Sequence, residues 1–136
     1  MTVLVDSNVI LDIFTEDPRW YDWSAENLTR QAEETRLAIN PIIYGEVSLR
    51  FTTIEELEDA LPRDAFQRLA LPWEAAFLAG KCFVKYRSRG GTKRSPLPDF
   101  YIGAHAAVED MHLLTRDPER YRTYFPKLRL VSPAEE

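Results

Sequence analysis

The sequence has only one cysteine, Cys82, and no apolar run that approaches the length of a membrane-spanning segment. A single cysteine excludes an internal disulfide and a zinc site built from cysteines, while a spanning helix needs about 20 predominantly apolar residues in a row. The N-terminus starts with a strand-like apolar pattern and lacks the basic segment that opens a secretory signal peptide. These absences lead us to expect a cytoplasmic protein that does not enter a membrane.

Composition and length indicate one ordinary globular domain. The chain has 136 residues, of which 45% are hydrophobic and 29% are charged. Disorder is therefore not expected, and the chain is long enough to bury a substantial core. We see no internal repeat, low-complexity segment or linker in the sequence, and we expect a single domain spanning residues 1–136.

Charge is unevenly distributed along the chain. The net charge is −5, and residues 1–74 carry fifteen acids against six bases. Residues 75–98, by contrast, carry six bases and no acid. Because attraction of a polyanion depends on the local field more than on the total charge, this basic block is the part of the chain best suited to bind one.

Short apolar runs alternate with helical patterns, which predicts an α/β fold. Val3–Val5 is apolar on both faces of a strand, as in a buried parallel sheet. Asn40 and Pro41 supply an N-cap and a first-turn proline for one helix, and Thr53 opens a capping box for the next. Further strands are predicted at residues 37–39, 112–115 and 128–131. This order predicts three α/β/α layers around a central, mostly parallel sheet.

A longer helix is predicted to begin after Pro72. Its large apolar residues fall on one stripe, as in an amphipathic helix. The stripe consists of Trp73, Ala76, Phe77, Gly80 and Val84. The helix runs into a loop marked by two adjacent glycines and two prolines, which are strong breakers of regular structure.

Four acidic residues stand where a charge needs an explanation. Asp6 and Asp117 each follow a predicted strand, and in open α/β sheets sites form at the carboxyl ends of strands. Asp99 opens a helix after the basic block, and Glu46 lies one turn into the helix after the second strand. Each has a structural alternative, because Asp99 and Asp117 are good N-caps and Glu46 suits a solvated helix position. Asp6 is hardest to explain in this way, since an unpaired buried charge is costly.

A shared cation would explain the four acids together. Hard divalent cations such as Mg²⁺ prefer carboxylate oxygens, and clustered carboxylates raise each other's pKa unless a positive charge lies between them. A site of this kind can activate water and stabilise an in-line displacement at phosphorus. Zinc is not expected, because the sequence has no Cys/His cluster.

Each of the four acids lies in a short characteristic segment. The segments are VLVDSNVIL (3–11), INPIIYGEV (39–47), LPDFYIGAHA (97–106) and LLTRDPERY (113–121). Taken in this order they resemble the PIN-domain family, and more narrowly the toxins of VapBC toxin–antitoxin pairs. In that family an acid ends the first strand, a Glu lies on an early helix, an Asp opens the helix after the basic loop, and an Asp follows a Thr-Arg pair. The matching residues are Asp6, Glu46, Asp99 and Asp117.

The resemblance implies a function. It implies a metal-dependent endoribonuclease that acts on structured RNA such as tRNA or rRNA, with Mg²⁺ or Mn²⁺ at the four acids. It also implies a homodimer that is silenced by a cognate antitoxin protein. Ser7 and Thr115 lie beside the acids, and we expect their hydroxyls to support carboxylates or water. Asn8 has an alternative role as the cap of the first helix.

The basic block is expected to grip RNA phosphates beside the metal site. Its candidate contacts are Arg87, Arg89, Lys93 and Arg94. The alternative is a solvated helix end, where Lys and Arg suit the helix dipole. We favour RNA because the bases continue past the helix into the loop.

Trp20, Tyr21 and Trp23 place three aromatic rings within four residues. Three such rings cannot all face inward on one helix, so at least one is expected to be exposed for a partner. We expect Trp20 and Trp23 to contact the antitoxin.

The two histidines are expected to be structural, His105 because its neighbours are small packed residues and His112 because it begins a strand.

Two other functions remain open at this point. Phosphatases of the haloacid dehalogenase type also place an Asp after the first strand, but they follow it two residues later with a second Asp, where this chain has Asn8. Their later lysine has no clear counterpart here. The other alternative is a non-catalytic RNA-binding or regulatory module of the same fold.

Overall fold

The computed structural model describes residues 1–91 and 97–134 of the chain. Its strands are β1 (Thr2–Val5), β2 (Arg36–Ile39), β3 (Gln67–Arg68), β4 (His112–Leu114) and β5 (Leu130–Val131). Its helices are α1 (Ser7–Phe14), α2 (Tyr21–Glu34), α3 (Pro41–Ser48), α4 (Ile54–Ala60), α5 (Trp73–Ser88), α6 (Leu97–Val108) and α7 (Glu119–Tyr124).

The strands form one parallel sheet in the order β3-β2-β1-β4-β5. β1 pairs with β2 on one side and with β4 on the other, so that Val3 aligns with Leu37 and with His112. The chain steps one way from β1 to β3 and the other way from β4 to β5. Because crossovers between parallel strands are right-handed, this reversal sends helices to both faces of the sheet. The predicted α/β/α class is therefore confirmed.

β1 lies at the centre of the core. Val3, Leu4 and Val5 have no exposed surface, and the neighbouring strand buries Leu113 and Leu114 as completely. A strand that is covered by helices on both faces must be apolar on both, which is why an unbroken apolar run is a reliable signal here. The polar residue that ends this run, Asp6, is consequently carried to the edge of a dry core.

Two helix starts follow the local signals in the sequence. The Asn40 side chain accepts a hydrogen bond of 2.9 Å from the backbone N–H of Ile43 and begins α3, with proline at its first turn. Thr53 and Glu56 form the reciprocal capping box of α4. Both predictions are confirmed, because each cap depends on residues only three positions apart.

The sequence analysis missed β3. This strand has only two residues, Gln67 and Arg68, and it lacks the apolar run by which the other strands were found. It forms because β2 offers an open edge, on which Ala38 aligns with Gln67. β3 is thus an edge strand that forms by pairing with β2, and its own residues have no strand propensity that would predict it.

The apolar stripe of α5 faces solvent. Trp73 is 88% exposed, Phe77 68% and Val84 62%. The opposite side of α5 buries Ala75 and Ala79, whose small side chains allow close packing against other helices. No helix within residues 1–91 and 97–134 is long and apolar enough to cross a membrane. The stripe is an exposed apolar surface of α5.

Candidate functional site

The candidate site lies at the topological switch point of the sheet, where the strand order reverses between β1 and β4. β1 and β4 are neighbours whose connections leave towards opposite sides, and a crevice forms at the carboxyl ends of such strands. Asp6 follows β1 and Thr115 follows β4, and the Asp6 backbone N–H donates to the Leu114 carbonyl at 2.9 Å. The two polar strand ends therefore meet at one edge of the sheet.

Asp6 is held by three neutral donors. It is only 3% exposed, and its Oδ2 accepts hydrogen bonds from the Thr115 hydroxyl at 2.9 Å and the Tyr121 hydroxyl at 2.9 Å. The Asn8 amide donates to the same oxygen at 3.3 Å. These donors orient the carboxylate but do not neutralise it.

Glu46 projects from α3 towards α1. It is half-buried, and the Ser7 hydroxyl donates to its Oε1 at 2.8 Å. The two hydroxyls expected to support carboxylates thus contact acids, Ser7 with Glu46 and Thr115 with Asp6. Their part in binding or catalysis stays a prediction.

Asp99 and Asp117 are not helix caps. Asp99 lies inside the first turn of α6, and its Oδ2 accepts a 2.6 Å hydrogen bond from Arg120 Nη1 on α7. The cap position of α7 is taken by Pro118, without a side-chain cap. The Asp117 backbone N–H donates to the Thr115 hydroxyl at 3.1 Å, which ties Asp117 to the end of β4.

An open cavity of about 340 Å³ lies beside Asp99 and Asp117. The described residues that line it are Tyr86, Asp99, Asp117, Glu119, Arg120, Thr123 and Tyr124. Three of these residues are acids and one is a base. The cavity therefore presents carboxylates to solvent, whereas Asp6 and Glu46 are not among the residues that line it. Glu119 is an acid there that the sequence analysis did not single out.

The acids lie within one another's electrostatic field. Burial raises the pKa of Asp6 to about 7, and the negative charges of Asp99 and Glu46 add to this rise against the hydrogen bonds from Tyr121 and Thr115. Burial also raises the pKa of Glu46, with a further contribution from Asp99. The four side chains predicted to share a site are thus brought to one region, where their ionised forms repel.

Asp99 is coupled to the remaining acid. Burial raises its pKa, the Arg120 guanidinium opposes this rise, and the charge of Asp117 reinforces it. Asp99 is therefore the residue that electrostatically links the buried Asp6 and the half-buried Glu46 to the exposed Asp117.

The donor set suits a hard divalent cation. The side chains are carboxylates, which Mg²⁺ and Mn²⁺ prefer, and their mutual repulsion is what a bound cation relieves. In the part of the chain that the structure describes, however, no three acidic, His or Cys side chains stand close enough together to hold a metal ion. The residue types fit the chemistry of the cation, but their side chains as placed do not form a ligand set for it.

Sequence reasoning missed the role of two residues that hold Asp6, which are Tyr121 and Asn8. Tyr121 is buried, and burial together with the charge of Asp6 raises its pKa well above the usual value, so it remains a donor. Asn8 does not cap α1, as the alternative proposed, because Asp6 occupies that position. Instead its amide bridges Asp6 and the Thr115 hydroxyl, the latter at 3.2 Å. No local pattern marks either residue, since both act across the strand ends.

Part of the basic block lies at the rim of the cavity. Arg87 and Arg89 are exposed, and the Arg89 guanidinium lies over the Tyr124 ring, 5.5 Å from its centroid. Because Tyr124 lines the cavity, Arg89 lies at its rim. Lys93 and Arg94 lie outside the described residues.

The aromatic cluster of α2 is only partly exposed. Trp20 and Trp23 are half-buried and meet edge to face, with ring centroids 6.3 Å apart. Tyr21 is the exposed ring, at 41%, so the expectation that at least one ring faces solvent is confirmed. The Arg116 guanidinium lies over the Trp20 ring, 5.6 Å from its centroid. Arg116 directly precedes Asp117 in the sequence.

Both histidines lie away from the acids. His105 is buried, and its Nδ1 lies 2.9 Å from the Asn40 amide nitrogen. That amide nitrogen is a donor, because the Asn40 oxygen already caps α3, so His105 accepts through Nδ1. Burial lowers the pKa of His105, which favours this neutral form. His105 is therefore structural, as expected.

Comparison with known proteins bears on these findings. A family model described as the PIN domain matches residues 3–126. No curated protein matches the chain. Among solved structures, VapBC-1 from nontypeable Haemophilus influenzae aligns with a TM-score of 0.73 at 17% identity, covering 97% of this chain and 98% of the other.

Two further structures align over a similar length. VapBC2 from Rickettsia felis, bound to a DNA fragment from its promoter, has a TM-score of 0.72 at 19% identity and covers 97% of this chain and 98% of the other. A toxin–antitoxin complex from Klebsiella pneumoniae has a TM-score of 0.65 at 22% identity and covers 98% and 99%. Likeness at this identity shows a shared fold. Because the family model spans nearly the whole chain, including all four acids, the chain belongs to the PIN domain family.

Proposed function

We propose that this chain is a metal-dependent endoribonuclease and the toxin of a VapBC-type toxin–antitoxin pair. The observation that carries the proposal is that Asp6, Glu46, Asp99 and Asp117 lie within one another's electrostatic field. Each of the first three has a raised pKa. Maintaining repelling carboxylates at the edge of a dry core is costly, and function is the usual reason for it.

The cofactor in this proposal is Mg²⁺ or Mn²⁺, held by the four acids. When bound, such a cation stabilises charge at phosphorus and lowers the pKa of water. Thr115, Tyr121 and Asn8 orient the Asp6 carboxylate, and Ser7 orients Glu46. The acid-lined cavity provides the solvent side of the site, where a phosphodiester can approach.

The substrate in this proposal is structured RNA, such as tRNA or rRNA. Arg87 and Arg89 supply exposed positive charge at the end of α5, and Arg89 contacts Tyr124, which lines the acidic cavity. Phosphate contacts of this kind position a nucleic acid without reading its sequence. The cytoplasm is where such an enzyme meets its substrate.

The experiment is cleavage of defined RNAs by purified protein with Mg²⁺ or Mn²⁺, with and without EDTA. Asp6→Asn, Asp99→Asn and Asp117→Asn should each abolish cleavage. Asp110→Asn is the matched control, because Asp110 is an exposed acid that pairs with Arg129 at 3.3 Å, away from the four acids. Full activity of Asp6→Asn with metal present would remove the assignment.

The same assay separates the alternatives. Hydrolysis of a small phosphomonoester such as p-nitrophenyl phosphate, without RNA cleavage, would favour a phosphatase. RNA binding without turnover under any metal would favour a non-catalytic module. Neither alternative has a specific observation on its side.

A cognate antitoxin is the proposed protein partner. The structures named above include toxin–antitoxin complexes, and the surface we assign to the antitoxin surrounds Trp20 and Trp23. Its rings are half-buried with an exposed Tyr21 beside them, so an amphipathic segment can cover them. Arg116 joins this surface to the acid site, through its contact with the Trp20 ring.

A second copy of the chain is the other proposed partner, and the exposed face of α5 is where we place it. Trp73, Phe77 and Val84 form an apolar stripe there. The exposed Glu74 lies near the start of the helix and the exposed Lys85 near its end. Two α5 helices packed antiparallel would set the acid of one copy against the base of the other, so the face is complementary to itself.

Light scattering tests the homodimer. Phe77→Glu should shift the protein from dimer to monomer, because it places a charge in the centre of the apolar stripe. Leu49→Glu is the control, since Leu49 is 83% exposed on a different surface. A wild-type monomer, or a dimer that survives Phe77→Glu, would contradict the placement.

A further inference from the structure

Arg120 forms the shortest side-chain ion pair of the candidate site. Its Nη1 lies 2.6 Å from Asp99 Oδ2, and the two side chains are 38% and 32% exposed. The partners come from α7 and α6 and are 21 positions apart in sequence. This contact is therefore made by the tertiary fold and is not a local pairing within one helix.

The ion pair stands inside the acid-lined cavity. Of the described residues that line it, Arg120 carries the positive charge, while Asp99, Asp117 and Glu119 carry negative ones. The Arg120 guanidinium also opposes the rise in the pKa of Asp99 that burial causes. Arg120 thus does for Asp99 what a bound cation would do, which is to stabilise its ionised form.

A guanidinium and a divalent cation bound to the same carboxylate repel each other electrostatically. A Mg²⁺ ion binds carboxylate oxygens at about 2.0–2.1 Å, and the Arg120 guanidinium already contacts one of the two oxygens of Asp99. Like charges drawn to the same oxygen repel, and the partly desolvated surroundings of Asp99 strengthen that repulsion. A cation that binds Asp99 Oδ2 displaces the guanidinium, and a cation that binds the other carboxylate oxygen is still repelled by it.

We infer that Arg120 is a built-in competitor for the cation at Asp99. This inference rests on the proposed function for the identity of the site, but it concerns binding and not cleavage. A divalent cation that takes Asp99 Oδ2 has to break the ion pair with Arg120, and the free-energy cost of breaking it lowers the affinity of the wild-type site for metal. The competition also gives a reason why Asp99 is not drawn into a closed ligand set with the other acids.

The test is calorimetric titration of Mn²⁺, and then of Mg²⁺, into the purified full chain without RNA. Arg120→Ala should bind either cation about two- to fivefold more tightly than wild type, as expected for loss of one half-exposed ion pair. Arg120→Gln, neutral and of similar length, should show the same gain if Arg120→Ala folds poorly. Arg120→Lys keeps the positive charge but lacks the planar guanidinium, so its metal affinity should lie between those of wild type and Arg120→Ala.

Two controls separate local competition from a general change of charge. Arg129→Ala also removes a base that pairs with an acid, but that acid is Asp110, away from the cavity, so it should leave the affinity unchanged. In an Asp99→Asn background, replacing Arg120 should no longer tighten binding, because the shared ligand is gone.

The outcomes are distinct from those of the nuclease assay. Equal affinity of Arg120→Ala and wild type, an equal gain in Arg129→Ala, a gain that persists with Asp99→Asn, or no cation binding by any variant would each overturn the inference. Tighter binding by Arg120→Ala in a protein that cuts no RNA would uphold it and remove the proposed function. RNA cleavage by wild type, with unchanged metal affinity in Arg120→Ala, would uphold the proposed function and overturn the inference about Arg120.

Discussion

The substitution Asp6→Asn should make the metal-free protein more stable at alkaline pH, although it destroys the proposed site. The pKa of Asp6 is raised from 3.8 to about 7 in the folded chain. Between these two values the folded chain holds a proton that the unfolded chain has released. Stability is therefore lost as pH rises through this window, and it stays low above the upper value.

The magnitude follows from the size of the shift. A rise of roughly three pKa units corresponds to about 4 kcal/mol at full ionisation, at about 1.4 kcal/mol per unit. Asn cannot ionise, so this loss disappears in the variant. The amide adds a donor facing Thr115, Tyr121 and Asn8, which are donors to Asp6, and this mismatch costs about 1–2 kcal/mol. We expect a net gain of about 2–3 kcal/mol above about pH 8, and a small loss near the lower value of the window.

Urea unfolding in EDTA measures this difference at about pH 5 and about pH 8. The stability advantage of Asp6→Asn over wild type should grow with pH, while Asp110→Asn should show no such trend. Added Mg²⁺ should stabilise wild type more than the variant, because ligand binding to the folded state raises its stability. An advantage that is the same at both pH values would refute the argument that burial of an ionised Asp6 destabilises the fold.

Three further predictions concern other parts of the molecule. Replacing Arg87 and Arg89 together by Gln should weaken RNA binding in EDTA and flatten the slope of log affinity against log salt by about one to two units; an unchanged slope would mean that these residues face away from RNA. Replacing Trp20 and Trp23 together by Ala should lower antitoxin affinity at least about tenfold while RNA cleavage is retained, and wild-type affinity would move the docking surface elsewhere. Gly103→Ala should lower stability in thermal unfolding by about 1–3 kcal/mol, because its new Cβ would fall 2.5 Å from a buried aromatic ring, and an unchanged midpoint would contradict this.

The glycine prediction has a matched control in the same protein. Gly45 lies within α3, and a Cβ added there would meet nothing within 4 Å. Gly45→Ala should therefore stabilise the protein by about 0.5–1 kcal/mol through helix propensity alone. Opposite signs at the two glycines would separate the effect of packing from that of backbone freedom.

Much of the fold could be predicted from sequence because its signals are local. The apolar run Val3–Val5 predicts a buried strand wherever helices cover both faces, and the caps at Asn40 and Thr53 involve residues three positions apart. The candidate acids could be named for a related reason, since topology rules place the ends of parallel strands at one edge. Residue type and order were enough for these inferences.

Other features depend on which surfaces meet, and no local pattern encodes that. β3 exists because β2 has an open edge to pair with. The apolar stripe of α5 had the spacing of a core-facing surface, yet small residues on the other side allow closer packing, and Trp73 and Phe77 are left in solvent. Helical periodicity shows which residues share a face of a helix, but it does not show whether that face packs on the core or lies in solvent.

The same division holds at the site. The sequence alone determined that Asp6 would end a buried strand and that three other acids would lie near it. Only the tertiary structure decided what holds them: Tyr121 donates to Asp6 across 115 positions, and Arg120 pairs with Asp99 between two helices. It also decided the charge state of Asp6, whose pKa of about 7 comes first from burial and then from neighbouring acids. Local sequence specifies the chemical groups, whereas burial and long-range contacts, which exist only after folding, determine their protonation and their partners.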